Sequence, residues 1–276
     1  MNFESKFRVL RLSSLAVAVF ALLLTLAGLA QLGLGGMAVS AEYERIAQRE
    51  AELERPGSYY GYQRQWRQAQ AEYDRSSSAF FLEGRFLQTS LGEEESTVAV
   101  TSLVVFAVSV LGFLTAAMVW VWRAHANIRE VGIRSKYGPE FAVAGYLIPL
   151  ANLVIPFEAM RELHNRSHGE VEDFAHSPVE NVTAWWTSVL VGLLIFSALM
   201  AKFIVDAGTN LILMTPLWME FAILCFAFVL LFTGAWLFAG LTRTITAAQI
   251  EVLPELDLAH VQEEAPQRPS VKIVGG

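Results

Sequence analysis

The chain has 276 residues, of which 54% are hydrophobic and only 17% charged, with a formal net charge of −7. Average soluble domains carry about 25% charged residues, so the composition leans toward membrane, and the acidic balance argues against a nucleic-acid partner. The lone Cys225 excludes an internal disulfide and a cysteine-based zinc framework.

Lys6, Arg8 and Arg11 lead into an apolar run from Leu12 to Gly36. Val39-Ser40-Ala41 resembles a signal-peptidase site. The run is 25 residues long, however, and the apolar stretch of a signal peptide is about 7–15. Residues 1–40 are therefore read as a tail and an uncleaved first span.

Residues 41–96 read as an extracytoplasmic helical hairpin. Ala41–Arg55 is rich in Glu, Arg, Gln and Ala, and Pro56-Gly57-Ser58 ends it. Tyr62, Trp66, Ala69, Tyr73, Ser76 and Phe80 then follow at intervals of four and three. That is a heptad-type stripe, and it predicts a second helix. Tyr59 and Tyr60 lie at the tip. The hairpin either packs on itself or presents Tyr59, Tyr60, Tyr62, Trp66, Tyr73 and Phe80 to a partner, because an exposed aromatic cluster is costly to leave wet.

Residues 97–242 form the membrane core. Thr97–Trp122, Ala184–Val205 and Trp218–Leu241 are three further apolar runs. A hydrocarbon core of about 30 Å needs about 20 apolar residues in a helix, so the chain is read as an all-α protein with four transmembrane helices. No continuous polar stripe through the spans is expected. Small residues recur four apart at Ser188 and Gly192, Ser197 and Ala201, and Ala235 and Ala239, a spacing that lets helices approach closely. The aromatic residues of the fourth span are expected to face lipid or a partner. Lys202 and Asp206 are four apart at the end of the third span, and Glu220 opens the fourth; they are expected to close the short loop between them.

A fifth apolar piece, Phe141–Phe157, has 17 residues and contains Pro149, Asn152 and Pro156. Proline removes a backbone donor and clashes with the preceding turn. With both termini cytoplasmic, 12 of the 20 Lys and Arg fall inside. If the fifth piece also spanned, the inside would keep only eight. Orientation follows the positive residues. Residues 139–160 are accordingly read as a Pro-broken re-entrant or interfacial segment on the cytoplasmic side. Residues 243–276 are polar, acidic and interrupted by prolines, and read as a largely disordered tail from Glu251 onward.

The strongest local pattern is Trp122-Arg123-Ala124-His125-Ala126-Asn127-Ile128-Arg129, then Gly132. It is followed by Tyr146-Leu147-Ile148-Pro149 and Asn152-Leu153 with Pro156, and by Met160-Arg161-Glu162-Leu163. Arg123 and Asn127 are four apart, as are His125 and Arg129, and project from different faces of one helix. Two readings stand: a helix end capped by Arg and His, or an anion or lipid-headgroup site formed with the broken segment, for which the Arg fork is suited. Asn152 either satisfies carbonyls freed by the two prolines or contacts a solute. His164 and His168, with Glu162, Glu170, Glu172, Asp173 and His176 nearby, read as a solvated loop surface and not as a metal site. No cofactor is expected, and the absence of His inside the spans argues against a transmembrane haem.

These paired motifs resemble a bacterial membrane family known only as domain of unknown function 4328, over about residues 97–242. The resemblance implies a four-span protein of the bacterial inner membrane, with no activity to carry over. The long outer segment departs from that family's usual shorter connection. The expected function is a non-enzymatic accessory, scaffold or protein-interaction subunit, with partners reached through the hairpin or the fourth span and lipids around the core. The alternatives are a small-solute, ion or lipid transport protein using the broken segment around Asn152, and an enzyme acting on a lipid phosphate through Arg123, His125 and Arg129.

Overall fold

The computed structural model describes residues 3–53, 70–82, 93–209 and 214–264. Among them are the α-helices α1 (Phe3–Leu53), α2 (Ser77–Leu82), α3 (Glu93–Glu130), α4 (Pro139–Leu147), α5 (Ile155–Ser167), α6 (Glu180–Gly208) and α7 (Leu217–Glu264), and residues 70–74 are helical as well. Short 3₁₀ turns lie at Ala151–Leu153 and Glu172–Phe174. The described residues hold no strand, only an isolated bridge between Ser76 and Pro216. α1, α3, α6 and α7 are long and apolar enough to cross a membrane. The all-α membrane reading and its four spans therefore hold.

α1 continues without a break from the first apolar run to Leu53, 51 residues in all. Glycine ends α3 and α5. Gly132 has φ +86° and Gly169 φ +83°, the left-handed conformation that only glycine adopts at little cost. At each site the chain closes with a long backbone bond: Ile133 N–H to the Ile128 carbonyl at 3.3 Å, and Glu170 N–H to the Asn165 carbonyl at 3.1 Å.

The chain divides into two compact units. The first comprises Met1–Val17, Thr115–Thr183 and Ala239–Gly276. Its core contains Leu10, Trp120, Ile128, Met160, Leu163 and Ile245. A smaller cluster joins Phe7, Val131 and Leu253, with Ile133, Ile250 and Leu256 packed against it. This cluster corrects the disorder expected from Glu251. α7 runs through Pro254 to Glu264, because Leu253 is fully buried and anchors that stretch. Apolar burial outweighs the polar average composition of the tail. Residues 265–276 lie outside the described residues.

The second unit comprises Ala18–Leu114 and Ala184–Phe238. Here glycines admit rings. A Cβ at Gly28 would stand 2.2 Å from the Phe232 ring, and one at Gly112 would stand 2.2 Å from Phe20. Gly192 faces Leu231 and the Ala227 carbonyl, as its spacing from Ser188 suggests. Ser197 and Ala201 are exposed. The aromatic face of the fourth span is not all outward. Phe226 and Trp236 are exposed, but Phe232 and Phe238 are buried. Phe238 packs on Trp185 and Phe113, with ring centroids 5.4 and 6.0 Å away.

Candidate functional site

The Arg123–Arg129 motif occupies the last two turns of α3, in the first unit. Its polar groups turn to partners within the chain. Arg123 reaches Glu130 at 3.7 Å, and Lys6 also pairs with Glu130. His125 is buried and hydrogen-bonded to the backbone of Tyr137. Arg129 stands 3.5 Å from Glu140, both of them exposed. Asn127 Nδ2 donates to Gln249 Oε1 at 3.2 Å. Gln249 in turn donates to the Ala124 carbonyl and to Ser167 Oγ, each at 3.0 Å.

Gln249 belongs to a ladder on α7 that the sequence reading did not anticipate. Thr242, Thr246 and Gln249 are spaced four and three, so they share one face. Ser14 donates to Thr242 at 3.0 Å, and the Trp120 indole donates to Thr246 at 3.0 Å. All three α7 residues are buried. The ladder lies on α7 just beyond the fourth span, Trp218–Leu241, where the sequence reading named no polar cluster. The spacing was present in the sequence, but its depth depends on how α1, α3, α5 and α7 meet. The Asn127 carbonyl oxygen and the Arg123 Nε are buried without a hydrogen-bond partner.

The broken segment meets the motif at its start, where Glu140 pairs with Arg129. α4 packs against α5 and the intervening turn. A Cβ at Gly145 would lie 2.4 Å from Ile155, so only glycine permits this approach. Pro139 and Pro156 are in the first turns of α4 and α5, where proline's missing N–H costs nothing. Pro149 sits in the exposed turn between them. Asn152 is half-buried on the 3₁₀ turn, and its N–H donates to the Ile148 carbonyl at 3.0 Å. The expected contact of Arg123, His125 and Asn127 with the Pro149–Pro156 stretch is thus replaced by contacts to Glu130, Tyr137 and Gln249.

The face of α5 is also less solvated than expected. Glu162 and Arg166 are buried, while His168, Glu170, Glu172, Asp173 and His176 are exposed. Glu162 accepts the Lys136 N–H at 2.7 Å, and Arg166 donates to the Arg134 carbonyl at 3.0 Å. His164 and His168 stack, with centroids 4.3 Å apart. Partial burial, and then the charge of His168, hold the His164 imidazole below its ordinary pKa. Lys136 pairs with Glu158 at 2.8 Å. That bond, followed by one from Tyr137, holds the Glu158 carboxyl below its usual range, and its counterpart raises the Lys136 ammonium.

In the second unit, Lys202 sits between Asp206 at 2.5 Å and Glu220 at 2.9 Å. Ser78 donates to Asp206 at 2.7 Å, and Ser77 N–H donates to the Thr215 carbonyl at 3.0 Å. The expected loop closure by Lys202 is present, and it also fastens α2. Arg75 pairs with Glu50 of α1 at 2.7 Å. Of the candidate partner surface, Tyr59, Tyr60, Tyr62 and Trp66 lie outside the described residues. Tyr73 is half-buried. Phe80 is buried, 5.2 Å edge-to-face from Phe81. This corrects its assignment to a partner surface: α2 turns that ring inward, where burial favours it.

Fold and site define a multi-pass helical membrane protein with a polar, self-bonded core. The chain belongs to the family described as domain of unknown function (DUF4328), whose model matches residues 88–247. No curated protein matches. No solved structure matches either.

Proposed function

We propose that this chain is a non-enzymatic accessory or scaffold subunit of a bacterial cytoplasmic membrane, with both termini inside. Residues 41–96 then form an outer helical hairpin that meets a protein partner, and residues 139–160 are a re-entrant or interfacial segment. The observation that supports this reading is that Arg123, His125, Asn127 and Arg129 each have a partner within the chain, although the Arg123 Nε and the Asn127 oxygen do not. Groups engaged in this way hold helices together and leave little to act on a substrate.

The test is purification in mild detergent. A second protein at equal stoichiometry is expected, and Trp66→Glu with Tyr73→Glu is expected to release it while the membrane core stays monodisperse. A chain that purifies alone, with the double variant indistinguishable from wild type, removes the reading.

Transport of a small solute, ion or lipid is the second reading. It is favoured by the buried ladder from Ser14 to Gln249 and the unpartnered oxygen of Asn127. Polar groups inside spans are functional hypotheses by default. Solute uptake by reconstituted vesicles that is lost in Asn127→Leu would put this reading first.

A further inference from the structure

The turn between α4 and α5 carries apolar side chains outward. Leu147 is 74% and Leu150 80% exposed, and Ile148, Leu153 and Val154 are also exposed. No Asp, Glu, Lys or Arg occurs from Phe141 to Phe157. Charged residues stand at both ends of that stretch: Lys136 and Glu140 before it, Glu158 and Arg161 after it. Leu150 has φ +68°, a conformation in which a leucine is strained and glycine or asparagine is the cheap choice. A strained leucine whose side chain pointed into water would lose twice. In hydrocarbon, that side chain gains back what the backbone gives up.

We propose that this turn is a bilayer wedge whose Leu147, Ile148 and Leu150 side chains lie among lipid acyl chains. The inference rests on the interfacial reading of residues 139–160, and names lipid as what covers them. Three observations favour lipid over a protein partner. The same unit carries apolar side chains outward on its span segments, at Leu15 and Trp122, so a bilayer is already at hand. The wedge is aliphatic throughout, with neither the arginine nor the exposed tryptophan that anchors protein interfaces. Its charges are confined to the flanks, as at the ends of a membrane-embedded segment.

The test uses the full chain with Cys225→Ala, reconstituted in vesicles of phosphatidylcholine and phosphatidylglycerol. Single cysteines at Leu150→Cys or Leu147→Cys carry an environment-sensitive fluorophore. Leu147 lies in regular helix, so its variant avoids the strained position. Leu15→Cys serves as the span reference and Val171→Cys, in the acidic loop, as the aqueous reference. Acyl-chain bromine is expected to quench the Leu147 and Leu150 labels comparably to Leu15 and several-fold more than Val171, with aqueous iodide doing the reverse. If Leu15 is quenched by bromine while both turn labels follow Val171, the wedge is overturned and the spans stand. If both turn labels are shielded from bromine and iodide alike, protein covers the turn, and the wedge is again overturned. If Leu15 itself escapes bromine, the membrane reading of α1 fails, and the wedge falls with it.

Discussion

Two residues carry most of what can be tested singly. Lys202 stands between Asp206 and Glu220, with all three side chains largely buried. Removing the cation strands two carboxylates, and breaking a buried pair costs about 3–5 kcal/mol. Lys202→Met should lower stability by that order, read from thermal or denaturant unfolding in detergent. Lys202→Met with Asp206→Leu should recover part of the loss. Gln249 is the second. Its amide satisfies Asn127, Ala124 and Ser167 together. Gln249→Leu should cost about 1–3 kcal/mol, the penalty for stranding buried polar groups. A variant as stable as wild type would show that the ladder is not structural.

Titration belongs to this scale as well. His164 has an ordinary pKa of 6.5 and is held below it in the fold. The unfolded chain therefore binds a proton first, and stability falls as pH drops through 6.5. Glu158 is held below 4.5, so its contribution is complete above 4.5 and is lost as pH falls through the folded pKa. Lys136 is raised above 10.5, so its contribution is complete below 10.5 and is lost at higher pH. Tyr137 is held above 10.0 as well, so melting temperature against pH should plateau between about 6.5 and 10. His164→Gln should make the fall below pH 6.5 shallower without abolishing it, because burial also holds His125 down to about 4.

At the scale of elements, the α4–α5 pair depends on one missing methyl. Gly145→Ala would place Cβ 2.4 Å from Ile155. Overpacking of this kind costs about 1–3 kcal/mol, and here it would pry the two helices apart. Ile155→Gly in the same chain, which also removes the Ile155 Cβ 2.9 Å away, should restore the packing. Proteolysis of the turn, fast in Gly145→Ala and slow in the double variant, would register both effects. Proline marked this break in the sequence, and glycine set how the halves close. The end of α7 was not legible in the same way. Composition described residues 251–264 as a tail, and only the pocket formed by Phe7 and Val131 made Leu253 a core residue. Leu253→Asp should therefore fray α7 from about that residue onward, seen as faster hydrogen exchange across 251–256.

For the whole molecule, the charge distribution predicts that both termini are cytoplasmic. Reporter fusions at Asn2 and after Val274 should both be active inside the cell only. A periplasmic C-terminus would make Phe141–Phe157 a true span and remove the wedge. The sequence by itself determined the class of protein. Length and hydropathy act locally, so four runs long enough to cross a bilayer needed no tertiary information. The helix stops at Gly132 and Gly169 were likewise local, because left-handed backbone is a property of the residue. Tertiary structure alone decided the polar partners. Asn127 met Gln249 and not Asn152, Phe80 turned inward, and the 251–264 stretch became helix. Each of these depends on which surfaces lie opposite, a relation between residues far apart in the chain that no local pattern encodes.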